Sequence, residues 1–331
     1  MKWKTTIETS SITLNNQTFF KNEIILDKNI ARTYPNIFIE VKEIVEQRTY
    51  NIFQIFYNDH SKETLDSAFI PYNNTIPVKE HEFEYGVMRN LYLNKELFKN
   101  DNKYAGVLSW KFKQKTGIEG KQIVQWLEDN KGYDVYFINP WPEHSYLNFN
   151  SWHQGEYCHP GLISLTENLF KKANLNIDIR TNRNTIDTLC YCNYWIANKK
   201  FWTSYMNYCE KLYTAMHIVD KETKKLLYDI QADVQINSAF FSFIMERMFS
   251  TVLLMKKFKV LKYFDANTMK TKNVDNSLKI LLTTYCPIID KMDISKDYTK
   301  DNIEFINSVG EYYHDKLFNR LKTNDVYRCL R

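Results

Sequence analysis

Apolar positions along the chain fall into short unbroken runs that alternate with stretches of helical periodicity. The run NIFQIFY at 51–57 reads as a buried strand, and Asn58-Asp59-His60 ends it. A single helical turn at 61–66 and a loop at 69–74 (FIPYNN) are predicted next. Residues 81–97 carry Phe83, Val87, Leu91 and Leu93 at helical spacing. Strands follow at 104–112 and 133–138, around a helix at 120–130 that is bracketed by glycines at 117, 120 and 132. Residues 160–173 read as a helix with proline in its first turn.

The second half continues the alternation: a strand at 189–197, an amphipathic helix at 199–216, and a helix at 238–255. That last helix is apolar nearly all round and is therefore expected to be buried. Strands at 259–264 and 279–284 and a closing helix at 300–322 complete the pattern. Alternating strands and helices predict an α/β fold with a mostly parallel sheet flanked by helices. The mixed polar residues 1–48, with a strand near 37–41, read as an extension packed on a core at 49–257. Residues 258–331 read as a C-terminal strand and helix appendage.

Composition narrows the function. Only 8 of 331 residues are glycine, and none forms a G-x-G-x-x-G or Walker-type loop. A classical dinucleotide fold and a P-loop NTPase are thereby disfavoured. The net charge is +5, and the lysine pairs at 171, 199, 224 and 256 are scattered, unlike the concentrated face of a nucleic-acid binder. A weak attraction to anionic lipid, as a peripheral protein at the inner membrane face, stays open. Neither a signal peptide nor a membrane span is visible, which points to a cytoplasmic protein with reduced cysteines. Cys190 and Cys192 read as small apolar fillers on one strand face. The 23 Tyr, 21 Phe and 7 Trp suit either an aromatic core or sugar-stacking platforms.

Candidate chemistry gathers between Tyr104 and Gly161. Asp134 opens an otherwise apolar strand that ends at Asn139-Pro140, and a carboxylate there must be paired, solvated or bound to a ligand. His153, Glu156 and His159 lie three apart, which on a helix would suggest zinc and a hydrolase. Gly155 and Pro160 instead point to a loop that hydrogen-bonds a polar ligand. Glu246-Arg247 interrupts FSFIMERMFSTVLL, and two charges in such a helix need partners. Arg89 and Lys111 are candidate anion contacts, and surface charge is the plainer reading of each.

A resemblance joins these segments. The ordered series NIFQIFYNDHSKETLDSAFIPYNN, EYGVMRNLYL, YAGVLSWKFKQKTGI, DVYFINPWP, HQGEYCHPGL, YCNYWIANKKFW and FSFIMERMFSTVL is similar to bacterial GT-A-like glycosyltransferase domains of O-antigen, capsule and lipooligosaccharide loci. It covers roughly residues 50–255. The resemblance implies a GT-A-like fold and transfer of a sugar, UDP-linked by preference, to a hydroxyl of a growing glycan or glycolipid. Asp134 would stand at the metal-binding Asp-x-Asp, with Tyr136 in place of the second aspartate, a departure that weakens the case for Mn or Mg. Glu156 would be the base, and Asp59, Arg89, Lys111, Tyr136, Asn139, His159, Asn193, Glu246 and Arg247 would contact donor or acceptor. A catalytically silent carbohydrate-binding subunit of a glycan-assembly complex is the alternative.

Overall fold

The structure, a computed structural model, describes residues 11–14, 17–20, 50–77, 79, 81–99, 102–229, 239–263 and 276–323. The chain divides into two compact units, residues 1–48 and 49–331. In the first, β1 (Ser11–Leu14) and β2 (Gln17–Phe20) pair as an antiparallel hairpin. The strand predicted at 37–41 lies outside the described residues.

The second unit is built on six strands: β3 (Tyr50–Phe56), β4 (Ile70–Asn73), β5 (Tyr104–Ser109), β6 (Val135–Phe137), β7 (Trp195–Asn198) and β8 (Val260–Lys262). Their spatial order is β4-β3-β5-β7-β6-β8. β3 runs parallel to β4 and β5, while β7 is antiparallel to β5 and β6, and β8 is parallel to β6. Five strands therefore point one way and β7 alone points back. This is an α/β fold with a mostly parallel sheet, as the pattern predicted.

Alternation along the strands sends side chains into two cores. On one face Ile55, Val107, Phe137 and Trp195 meet α2 (Phe83–Leu93), α7 (Leu162–Lys172), α8 (Lys199–His217) and α10 (Phe240–Met255). Trp195 is its anchor, with the rings of Trp202, Tyr205 and Phe249 4.4–5.2 Å away. On the other face Ile52, Leu108, Tyr136 and Ile196 meet Phe112 of α3 (Phe112–Thr116) and Ile123 and Leu127 of α4 (Gly120–Asp129). The remaining helices are α1 (Asp59–Glu63), α5 (His144–Leu147), α6 (Ser151–Cys158), α9 (Lys221–Tyr228), α11 (Asn276–Ser295) and α12 (Lys300–Thr323).

Four predictions are corrected. Residues 69–74 are not a loop: they contain β4, where Pro71 is tolerated because an edge strand leaves one side without ladder partners. Residues 151–158 are helical, not a loop. Asn150 Oδ1 caps α6 by accepting from the Trp152 and His153 amides (2.9 Å each), and Gly155 sits where a Cβ would come within 2.5 Å of Arg247. The strand predicted at 189–197 begins only at Trp195, so Cys190 and Cys192 do not share a strand face. Residues 279–284 belong to α11. Beyond residue 257, β8 joins the edge of the sheet, and Tyr285, Ile289 and Ile306 pack around Phe149. Among the described residues no helix is long and apolar enough to cross a membrane.

Candidate functional site

β3 leads outward to β4 on one side and to β5 on the other, so the order of the sheet reverses at β3. In open α/β sheets ligands bind at such a switch point, outside the carboxyl ends of the strands. Here β3 ends in Phe56-Tyr57-Asn58, and β5 ends in Ser109-Trp110-Lys111. Because β7 runs backwards, its first residues reach this same edge and bring Cys192 and Asn193 with them. The entry to α2 adds Glu82–Tyr85, and α10 adds Ser242, Met245 and Glu246. Together with Ser109 and Lys115 they line a crevice of about 90 Å³. A larger groove of about 1090 Å³, bordered by His60, Trp110, Lys111 and Lys121, starts at the same strand end.

The backbone is bent to make this crevice. Phe83 (φ 42°), Cys192 (φ 65°) and Asn193 (φ 54°) all adopt left-handed conformations that side chains disfavour, and all three line it. Such strain persists only where surrounding structure enforces it, and it clusters at functional sites. Asn193 is 6% exposed, yet its Oδ1 accepts no hydrogen bond. Glu246 Oε1 accepts from the Cys192 amide (2.7 Å), which fixes both the carboxylate and the turn. Lys115 Nζ donates to Cys192 Sγ (3.2 Å).

The charges perturb one another. Burial pushes the Glu84 carboxyl above its ordinary range and the neighbouring Glu246 pushes the same way, against the pull of Lys115 and Lys111. Burial, and then the positive charge of Lys115, lower the Lys111 ammonium. Burial would also lower Lys115, but Cys192, Glu246 and Glu84 outweigh it and raise it. The Cys192 thiol is lifted to about 12 by burial despite Lys115, so it is protonated at neutral pH. Two carboxylates and one ammonium group in one cleft, with the Lys111 ammonium close by and one carboxylate held towards neutrality, form the kind of set that transfers protons.

Two candidates from the sequence, Asn193 and Glu246, meet here, and a third, Lys111, borders the groove beside it. The others lie elsewhere. Asp134 precedes β6 and so occupies the amino-terminal edge of the sheet, about 17 Å away if measured along β5. Its oxygens accept from Asn198 Nδ2 (2.9 Å), the Lys259 amide (2.9 Å) and Lys200 Nζ (3.1 Å). Three donors, one of them a lysine ammonium, hold this carboxylate as a structural latch. Tyr136 is fully buried, and its hydroxyl donates to the Asn130 carbonyl (2.6 Å). Asn139 accepts from the Trp141 amide (3.1 Å) and shapes the turn after β6.

Glu156 uses both oxygens to cap α7, accepting from the amides of Gly161 (2.8 Å) and Ile163 (2.7 Å). The His159 ring stacks on Phe243 at 3.6 Å. His153, its basicity lowered to about 4 chiefly by burial, lies on α6 with Glu156. Among the described residues no group of three or more His, Cys, Asp or Glu is arranged to hold a metal. Arg247 is not paired with Glu246: its guanidinium turns to α6 and donates to the Ser151 and Phe243 carbonyls and to Gln154 (2.7–2.8 Å). Arg89 makes a two-pronged ion pair with Glu210 (2.8 and 2.9 Å) that ties α2 to α8. Asp59 is the exposed first residue of α1.

Glu84, Lys115 and Cys192 were not anticipated as functional residues. Neither Glu84 nor Lys115 stands in a pattern that marks it in the sequence. Compared with known protein families, curated proteins and solved structures, the chain matches none significantly.

Proposed function

We propose that the protein is a GT-A-like glycosyltransferase that moves a sugar from a nucleotide-sugar donor, UDP-linked by preference, to a hydroxyl of a surface glycan or glycolipid. In this reading it works in the cytoplasm, at the inner face of the membrane where such acceptors are assembled. One observation carries the reading: the carboxylates of Glu84 and Glu246 share the switch-point crevice with Lys115, and Lys111, near enough to act on Glu84, borders the neighbouring groove.

Transfer needs three things: a base for the acceptor, stabilisation of positive charge at the sugar's anomeric carbon, and neutralisation of the departing diphosphate. Glu84, with its raised affinity for protons, accepts the acceptor's hydroxyl proton as the new C–O bond forms. Glu246, fixed by the Cys192 amide, faces the electron-poor carbon. The old bond to the diphosphate breaks, and the lysines receive the leaving anion. Ser109 and Asn193, which line the crevice, offer hydrogen bonds to sugar hydroxyls.

The residues at Asp134 do not fit a divalent cation, and no step is assigned to one there. Calorimetric titration with UDP-, GDP- and CMP-sugars, with and without Mn²⁺, tests the reading, followed by turnover of whichever donor binds. Binding of one donor supports it. If oligosaccharide binds and no nucleotide does, the protein is a carbohydrate-binding subunit and not a transferase.

A further inference from the structure

We propose that Lys111 and Lys115 grip the donor's diphosphate directly, so that donor binding requires no divalent cation; this rests on the transferase reading above. The two lysines lie four residues apart around α3, one helical turn, and so share a face. Lys113 between them also borders the groove, but it is already paired with Glu119 (2.7 Å). Neither Lys111 nor Lys115 forms an ion pair within 4 Å of a carboxylate among the described residues, although both are half-buried. Each ammonium instead lies over an indole: Lys111 over Trp110 at 4.9 Å, and Lys115 over Trp141 at 5.4 Å.

Two cations held this way repel each other, and an anion bridging them removes that penalty. Lys111 borders the groove and Lys115 the crevice, so an anion bridging the two ammonium groups lies between the two spaces. A diphosphate there leaves the groove for the nucleoside and places the sugar beside Glu84 and Glu246. The groove, at about 1090 Å³, is at the upper end of small-molecule sites and has ample room for a nucleoside. The one carboxylate that the family resemblance would give to a metal, Asp134, is meanwhile consumed by three donors at the opposite edge.

The test uses the full chain with UDP and with inorganic pyrophosphate as probes, titrated in EDTA and again in Mn²⁺. The expected dissociation constants agree within about threefold between the two conditions, because charge-assisted hydrogen bonds from lysine carry the contact. Lys111→Met and Lys115→Met each weaken both probes by about tenfold or more, and Lys111→Arg restores most of the loss. Lys131→Met, whose lysine pairs with Glu128 and lines neither space, stays within about twofold. Thermal unfolding checks each variant, and Lys111→Met decides the matter if loss of the Cys192 contact unfolds Lys115→Met.

Binding that vanishes in EDTA and returns with Mn²⁺ overturns the proposal, as do lysine variants that bind like the parent. If both probes bind without metal yet no sugar nucleotide is consumed, the diphosphate site stands and the transferase reading fails. If sugar nucleotides are consumed only with Mn²⁺, the transferase stands and this site fails.

Discussion

The two edges of the central sheet handle charge in opposite ways. At the amino-terminal edge Asp134 is surrounded by donors from β7, α8 and the approach to β8, and its hydrogen bonds are satisfied within the protein. At the carboxyl-terminal edge Glu84, Glu246, Lys111 and Lys115 are drawn together by left-handed turns, and a buried amide oxygen is left unpartnered. Satisfied charge holds a fold together, whereas a protein tolerates strained and unsatisfied charge where a ligand completes it. The contrast separates a carboxylate satisfied within the protein from one held towards neutrality, which residue type alone cannot do.

The comparison is broken most sharply by removing one carboxylate from each edge. Glu84→Gln is expected to lower turnover by roughly 10²–10⁴-fold, the usual worth of a general base. Asp134→Asn should leave turnover within about threefold but cost roughly 1–3 kcal/mol of stability, read by urea unfolding, because its donors lose a charged acceptor. Equal losses of activity in both variants would erase the distinction.

Arg247 tests whether the neighbouring charges of α10 really have separate duties. Arg247→Met leaves the Ser151 and Phe243 carbonyls without their donor, and a loss of about 3 kcal/mol or more in unfolding free energy is expected. Glu246→Gln keeps the size and should spare stability while it lowers turnover. A stable Arg247→Met variant would contradict this division.

The pH dependence of stability should have opposite signs at the two edges. Burial alone would lift the Asp134 carboxyl, but the Lys259 amide, Asn198 and Lys200 outweigh it and hold it below its ordinary 3.8. Its contribution is therefore present above 3.8 and is lost as pH falls below it. Glu84 is raised above 4.5, so its contribution is present below 4.5 and is lost as pH rises through its folded value. Subtracting each variant's unfolding free energy from the parent's across pH 3–8 shows these slopes directly. Like-signed slopes would mean that Glu84 is a stabilising group. Activity should rise with pH over the range in which Glu84 loses its proton.

The smallest effect concerns Glu156, the base that the sequence suggested. Glu156→Gln weakens the cap of α7 by about 1 kcal/mol and leaves turnover unchanged, as measured by melting and by steady-state kinetics.

Much of the fold could be read from periodicity. The helices at 199–217 and 240–255 and the strands at 50–56 and 104–109 appear close to where their apolar spacing placed them. Their burial depends on local pattern, and local pattern is what a sequence displays. The direction of β7 was not legible, because pairing with both β5 and β6 is decided by contacts distant in the chain. That reversal is what carries Cys192 and Asn193 to the site.

Asp134 was misplaced for a related reason. A residue that precedes a parallel strand lies at its amino end, while ligands gather at carboxyl ends, so the signal against it was present in its position. Lys111, directly after β5, satisfied the same rule and does reach the site. Glu84 could not be found from sequence, since nothing in EFEYGVMRN tells that its carboxylate faces Lys115 and Glu246 from another helix.

A crystal of the protein soaked with UDP tests the central claim most directly. The account predicts pyrophosphate density within hydrogen-bonding distance of Lys111 and Lys115, with the nucleoside in the groove beside Trp110. Density for the pyrophosphate at Asp134, or at the amino-terminal edge in general, would contradict it.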